Sequence, residues 1–297
     1  MLSILIPIYN CDVTNLVQAL HQQCIERGVP FEICCYDDES DITYKTINRS
    51  ITQYSHIHYQ ELPNNIGRSK IRNTLAADAQ YPYLLFMDGD AKVIKEQFIN
   101  NYLKHINPTT LLYGGCQYTS IPPKNPLKQL HYQFGKHREE IAPSIRSKTP
   151  YEAFKTFNFL IPKVIFDAIR FDESIAQYGH EDTLFGMELK RKGIPIVHID
   201  NPLEHLGIEE RDRFLQKQQL AIDNLYQLYL EDRAPASKLL KAFGCCKRLY
   251  ITGIVRNILN VSSNFINSRI TKDKPNIFFL DLYKLRYLLN RTKGTAK

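Results

Sequence analysis

The chain has 297 residues, 43% hydrophobic and 23% charged, which excludes a disordered or fibrous protein and allows one large domain or two small ones. Its net charge of +7 is unevenly spread: residues 233–297 hold 14 Lys/Arg against Asp273 and Asp281, net +12, leaving −5 on residues 1–232. No apolar run approaches the roughly 20 residues that span a bilayer, and no basic-then-apolar leader opens the chain.

Seven cysteines without C-x-x-C spacing suit reduced thiols in a cytoplasm better than a disulfide framework. The pairs Cys34-Cys35 and Cys245-Cys246 read as buried small hydrophobes.

Taken in order, LSILIPIY (2–9) predicts a buried strand. Asp12 can cap a helix over 13–28, where Val13, Leu16, Val17, Leu20 and Cys24 recur at helical spacing until Gly28. A second strand, FEICCYDDES (31–40), ends in acids; a helix near 42–53, a short strand at 57–62, a helix at 67–79 and the strand YLLFMD (83–88) follow. Three strand–helix repeats predict an α/β fold with a mostly parallel sheet. Such sheets bind ligands beyond the carboxyl ends of their strands, so Asp37/Asp38 and Asp88/Asp90 predict one shared, nucleotide-sized cleft. Neither a G-x-G-x-x-G after the first strand nor a P-loop motif is present, which argues against a dinucleotide or P-loop site.

Beyond this, residues 118–150, rich in Pro, Lys, Gln and His, predict a long irregular substrate loop. A strand and helix are expected at 156–169, a helix at 181–193, a short strand at 194–200 and a long amphipathic helix at 207–233. Residues 237–270 mix Leu, Ile, Phe and Tyr with Lys and Arg on one or two amphipathic helices.

An apolar strand that stops at Asp88-Gly89-Asp90 asks for a reason. Two neighbouring carboxylates repel unless a cation or a donor network compensates. In extended backbone residues 88 and 90 point the same way, and Gly89 would let a ligand approach the main chain. The arrangement suits Mn²⁺ or Mg²⁺, and with it phosphate chemistry; the plainer reading is a turn with solvated acids. Glu181-Asp182, in YGHEDTLFG, can supply a general base or merely cap a helix whose dipole favours acids. His205, expected in a loop, reads as a third metal ligand or as a structural histidine.

Five stretches in register, SILIPIYN, YDDES, NNIGRSKIRN, FMDGD and GHEDTLFG, resemble the family 2 glycosyltransferases over roughly residues 1–231. The resemblance implies a GT-A fold, a Rossmann-like, mostly parallel central sheet flanked by helices. It implies a catalytic domain over 1–232, with a donor half of about 1–115 and an acceptor half of about 116–232; the charge asymmetry sets off a basic helical extension over 233–297. It further implies inverting, metal-dependent transfer of a hexosyl or N-acetylhexosaminyl group from a nucleotide sugar, UDP-linked, to a saccharide or glycolipid. The setting would be surface polysaccharide or glycoconjugate synthesis on the cytoplasmic side.

By the same resemblance, Pro7 and Tyr9 belong to the nucleotide-sugar site, Asp38 meets the uracil N3–H, and Arg72 lies near the nucleotide. Asp88 touches the ribose, Asn158 lines the donor-sugar pocket, and Asp90 and His205 hold the metal. Asp182 is the base and Glu181 contacts an acceptor hydroxyl. Ile71 stands where alanine is common. Two rivals are a catalytically silent sugar-nucleotide-binding protein and a phosphatase of the haloacid dehalogenase type. The phosphatase motif belongs to the first strand, and Thr or Val normally stands where this chain has Lys92. For the basic extension the readings are peripheral contact with an anionic membrane, packing on the body, or a dimer contact. No nucleic-acid-binding module is recognised.

Overall fold

A computed structural model describes residues 1–175 and 179–292; Tyr178 of the YGHEDTLFG stretch and the last five residues of the basic extension lie outside them. The first half of the chain is β1 (Leu2–Ile8), α1 (Thr14–Arg27), β2 (Phe31–Asp37), α2 (Ile42–Asn48), β3 (Ile57–Glu61), α3 (Arg68–Asp78), β4 (Tyr83–Met87), β5 (Ala91–Lys92), α4 (Phe98–Leu103), β6 (Leu111–Tyr113) and β7 (Cys116–Gln117). Then come α5 (Gln129–Arg138), α6 (Pro143–Arg146), β8 (Asn158–Pro162), α7 (Lys163–Ile169), α8 (Glu181–Arg191), β9 (Ile196–His198) and β10 (Leu203–His205). Five helices close the chain: α9 (Arg211–Leu230), α10 (Lys238–Arg248), α11 (Thr252–Val261), α12 (Ser263–Ile270) and α13 (Ile277–Arg291).

Seven strands form the main sheet in the order β3-β2-β1-β4-β8-β6-β9. The pairs β1–β2, β1–β4, β2–β3 and β6–β9 are parallel, and β8 runs antiparallel to both β4 and β6. Continuous apolar strands such as β1, β2 and β4 suit a sheet covered on both faces. Phe86 stacks on Phe159 at 4.8 Å and on Phe166 at 5.0 Å, and Phe171 and Phe185 complete a buried aromatic cluster beside the site. A second, three-stranded sheet has the order β5-β10-β7.

Contacts divide the chain into two units. The first is Met1–Thr119, Glu139–Ala176 and Glu181–Gly207, and holds both sheets. The second is Ser120–Arg138, Gln177–His180 and Ile208–Lys297, a helical body with Leu130, Phe214, Ile222, Leu280 and Leu288 in its core. This grouping follows different limits from the charge-based division at 232/233.

Three local expectations are corrected. Residues 118–150 are not irregular throughout: a 3-10 turn at Pro126–Lys128 leads into α5 and α6 follows, because Leu130 and Phe134, four apart, supply an apolar helical face. Asp12 does not cap α1; it closes a local turn, accepting from Thr14 N at 2.9 Å and Thr14 Oγ1 at 2.6 Å, while Val13 takes the capping position. Cys245 is exposed, although all seven thiols are free and Cys34, Cys35 and Cys246 are buried as expected.

Candidate active site

The parallel register brings the acidic strand ends together. Ile8 lies opposite Asp37 across β1–β2, and β1 also pairs with β4, so the segments after β1, β2 and β4 emerge along one sheet edge. Cys11, in the first of these, has its thiol pushed up to about 12, mainly by burial and then by the carboxylates of Asp90, Asp88 and Asp37 around it. Pro7 lies against the same turn: a Cβ at Gly89 would sit 2.8 Å from Cys11 Sγ and 3.2 Å from Pro7 O. Gly89 is thus required by close packing within the protein. Tyr9 is exposed, beyond the end of β1.

The D-x-D segment is a turn, with Ala91 N donating to Asp88 O at 3.3 Å, but its acids are not merely solvated. Asp88 is gripped by two arginines one helical turn apart on α3. Its Oδ1 accepts from Arg72 Nη2, and Arg68 Nη2 lies 3.6 Å from its Oδ2. Arg72 is only 2% exposed and is fixed by a further bond from Nη1 to Arg68 O at 3.0 Å. Asp38 anchors the loop that leads into α3, accepting from Ile66 N at 2.7 Å and Gly67 N at 3.1 Å. Burial raises the Asp38 carboxyl above its usual range, with those two amides opposing the shift.

His205 lies in a strand rather than the expected loop. β10 runs antiparallel to β5 with His205 opposite Ala91, and Leu206 N donates to Asp90 O at 2.8 Å. That pairing sets His205 Nε2 3.2 Å from Asp90 Oδ2. The imidazole packs between Tyr118 and Phe157, with Nδ1 2.9 Å from the Tyr118 hydroxyl, which donates to Glu139. A hydroxyl that spends its proton on Glu139 accepts from His205 Nδ1–H, which turns Nε2 toward Asp90. Burial lowers the imidazole pKa, but the bond to Asp90, with Glu139 and Asp88 further out, outweighs it, and the net shift is upward. A Cβ at Gly207 would come 2.0 Å from Asp90 Oδ2 and 3.2 Å from His205 Nε2. The glycine therefore leaves open the space that both groups face. One carboxylate oxygen and one imidazole nitrogen on a cradle that a single methyl would fill fit a divalent cation that keeps its remaining positions for phosphate or water. Among the described residues no group of three or more His, Cys, Asp or Glu side chains converges as a ready-made metal cage.

Glu181 and Asp182 open α8, with the helix dipole in their favour. Both are ion-paired. Asp182 Oδ2 lies 2.8 Å from Lys155 Nζ, and its Oδ1 accepts from Thr183 N at 2.7 Å. Burial would lower the Lys155 ammonium pKa; Asp182 first, then Glu139 and Glu181, reverse that and raise it. Glu181, buried, lies 2.6 Å from Arg68 Nε. Arg68 thus spans Glu181 and Asp88 and ties the E-D pair to the D-x-D turn.

Asn158, expected to line the donor-sugar pocket, is held inside the frame. It is fully buried opposite Met87, its Oδ1 accepts from Tyr102 OH at 2.6 Å, and its Nδ2 donates to Asn201 O at 2.8 Å and Gly115 O at 3.2 Å. With both ends of the amide committed, it braces β8. Sequence reading missed Arg68, Lys155, Tyr118, Glu139 and Gly207. Arg68 alone had a legible signal, its spacing of four from Arg72 on a predicted helix.

The chain belongs to glycosyl transferase family 2, whose model matches residues 3–169. It has the GT-A fold. It is similar to the mannosyltransferase PcManGT from Pyrobaculum calidifontis, described in complex with GDP-Man and Mn²⁺, with a TM-score of 0.61 and 11% identity over 100% of this chain and 88% of that one. Residues 1–349 of S. aureus TarS, described in complex with UDP-GlcNAc, give a TM-score of 0.51 and 16% identity over 99% of this chain and 92% of that one. In sequence the chain is 25% identical over 185 residues to the teichoic acid poly(glycerol phosphate) polymerase of Staphylococcus epidermidis, which covers 60% of this chain. It spans about a quarter of that relative's length, 24%. Family membership removes the phosphatase reading. Among the described residues no helix is long and apolar enough to cross a membrane.

Proposed function

We propose that the chain catalyses inverting transfer of a hexosyl or N-acetylhexosaminyl group from a UDP-sugar to a hydroxyl of a saccharide or glycolipid acceptor, in surface polymer synthesis. The observation that carries this reading is Arg68, which reaches Asp88 at 3.6 Å and Glu181 at 2.6 Å and so joins the donor-side and acceptor-side motifs into one site. The names of a teichoic acid polymerase and of a protein complexed with UDP-GlcNAc support the polymer setting and the uridine donor.

In this reading Asp38 accepts from the uracil N3–H, Pro7 and Tyr9 border the nucleotide, and Asp88, oriented by Arg72, meets the ribose. Asp90 and His205 would hold the metal, and the mixed oxygen and nitrogen donors favour Mn²⁺ over Mg²⁺. The metal would neutralise the diphosphate that leaves. Asp182 takes the proton of the acceptor hydroxyl, with the diphosphate departing from the opposite face of the sugar. Glu181, committed to Arg68, is read as the group that holds that arginine in place of the acceptor contact expected for it. A silent binding protein would have no need of a second carboxylate pair tied to the donor motif.

Thermal unfolding measured with a panel of UDP-sugars and Mn²⁺ tests the reading. A ligand at 100 times its dissociation constant should add about 2.7 kcal/mol, and turnover of the best binder should follow. In Asp90→Asn, UDP binding should lose its dependence on Mn²⁺. Equal metal dependence in mutant and wild type would take Asp90 out of the site, and a better response to GDP than to UDP would overturn the donor assignment.

A further inference from the structure

The C-terminal helices of the second unit bury one apolar face and leave another bare. Along α11 and α12, Val255, Leu259, Ile266 and Ile270 pack into that unit's core. Ile254, Ile258, Val261 and Phe265 instead follow at spacings of four, three and four, a single stripe on a helical surface. All four are exposed, between 52% and 88%. In sequence the exposed Leu249 and Tyr250 precede the stripe. At its other end the exposed Phe278 packs edge-on to Phe279 at 5.6 Å, which in turn meets Phe265 at 5.5 Å. Isolated exposed apolar residues need no explanation, but a continuous run of them does.

Charge narrows what can cover this face. Residues 247–274 contain Lys247, Arg248, Arg256, Arg269, Lys272 and Lys274 against Asp273 alone, a net +5. Arg269 lies 4.8 Å over the Phe265 ring, so cation and aromatic are presented together. Two copies of the chain meeting through this face would bring two +5 segments together. A surface with an apolar boundary under anionic headgroups satisfies both features. With ten residues in α11 and eight in α12, the helices are too short to cross such a surface and would lie along it.

We propose that the α11–α12 face docks on an anionic lipid bilayer. Ile254, Ile258, Val261 and Phe265 enter the headgroup boundary, and the flanking Lys and Arg side chains lie on the phosphates. This holds apart from the transfer reaction and rests on none of the site residues.

The test is co-sedimentation of the full chain with vesicles of phosphatidylcholine alone and of phosphatidylcholine mixed with phosphatidylglycerol. Wild type should bind the mixed vesicles, weakly the neutral ones, and release as salt is raised. Substituting Ile254→Ser, Ile258→Ser and Val261→Ser together should weaken binding by roughly 10²-fold or more, since three apolar side chains lose their burial. A second variant with Arg248→Gln, Lys272→Gln and Lys274→Gln should lose at least about tenfold and most of the salt dependence. These side chains are exposed, so an unchanged unfolding midpoint and unchanged UDP response should accompany the loss. Equal binding to neutral and mixed vesicles, or full binding by the triple-serine chain, overturns the proposal. So does a wild type that binds neither vesicle yet forms dimers that the triple-serine chain cannot, which would make the face a self-contact.

Discussion

Asp88 and Asp182 stand at the two ends of the candidate site, and each is paired with a cation, but the cations are of different kinds. Asp88 faces Arg72, which is 2% exposed, locked by its own bond to Arg68 O and seconded by Arg68 itself. Asp182 faces Lys155, whose side chain is 44% exposed and whose compact ammonium sits on a flexible stem. The first pair belongs to the frame: it presents a neutralised carboxylate of fixed orientation to a ligand. The second can be broken without disturbing a helix, and a general base must be free to take a proton. On the proposed reading, the distinction separates a carboxylate that positions from one that reacts.

The largest test of this contrast is at the reactive end. Asp182→Asn should leave UDP affinity and its metal dependence near wild type while transfer to acceptor falls by roughly 10²–10⁴ in both kcat and kcat/KM. Lys155→Met should leave the base in place but move the acid limb of the pH–rate profile to higher pH, because an ammonium favours an ionised neighbour. Near-normal transfer by Asp182→Asn would make the E-D pair a helix cap and erase the contrast.

At the framed end the expected loss is in stability. Arg72→Met takes the buried partner from Asp88, which is 21% exposed and keeps Arg68 at 3.6 Å, and should cost about 2 kcal/mol in denaturant unfolding. Lys155→Met, which removes a partner that is itself 44% exposed, should cost less, about 1 kcal/mol. Similar losses in the two variants would show that both pairs are structural.

The pH–rate comparison also needs a frame that survives acid, and His198 limits it. Burial, only partly offset by its bond to Pro150 O, lowers the imidazole from 6.5 to about 4. Between these values the unfolded chain binds a proton that the folded chain refuses. Stability is therefore whole above about pH 6.5 and falls as pH drops toward 4, by about 3 kcal/mol in all. His198→Gln keeps an N–H for Pro150 and should flatten that slope in urea midpoints measured across the range. An unchanged slope would place the acid sensitivity elsewhere.

What could be read in the sequence was what depends on short-range pattern. The apolar strands, their acidic ends and the order of the motifs follow from runs of a few residues, and the main sheet forms as they indicate. The partners of the acids are a different matter. His205 lies 115 positions from Asp90, and Tyr118 lies 21 from Glu139. Strand pairing and close packing bring each couple together, and neither leaves a trace in local spacing. Asn158 shows the same thing: its polar side chain at a strand start looked available, but Tyr102, Gly115 and Asn201 close on it from distant segments. The helical 118–150 stretch was obscured by a composition dominated by surface residues.

The smallest expected effect sharpens the comparison at a third carboxylate, Asp38, whose partners are amides and not cations. Two of its lone pairs are engaged by Ile66 and Gly67, at 2.7 and 3.1 Å. A carboxylate has capacity left to accept a further N–H. Asp38→Asn keeps the shape but replaces one oxygen by a donor, so one amide loses its acceptor and the uracil edge meets an NH₂ where it needs an oxygen. Unfolding should shift by about 1 kcal/mol and UDP affinity should fall on the order of tenfold. The two losses have different readouts, and calorimetric titration with UDP at a temperature where the variant is folded isolates the second. If only stability falls, Asp38 is a loop anchor, framed like Asp88 and no part of base recognition. If affinity for UDP falls while affinity for a cytidine diphosphate, which lacks an N3–H, does not, Asp38 reads the uracil.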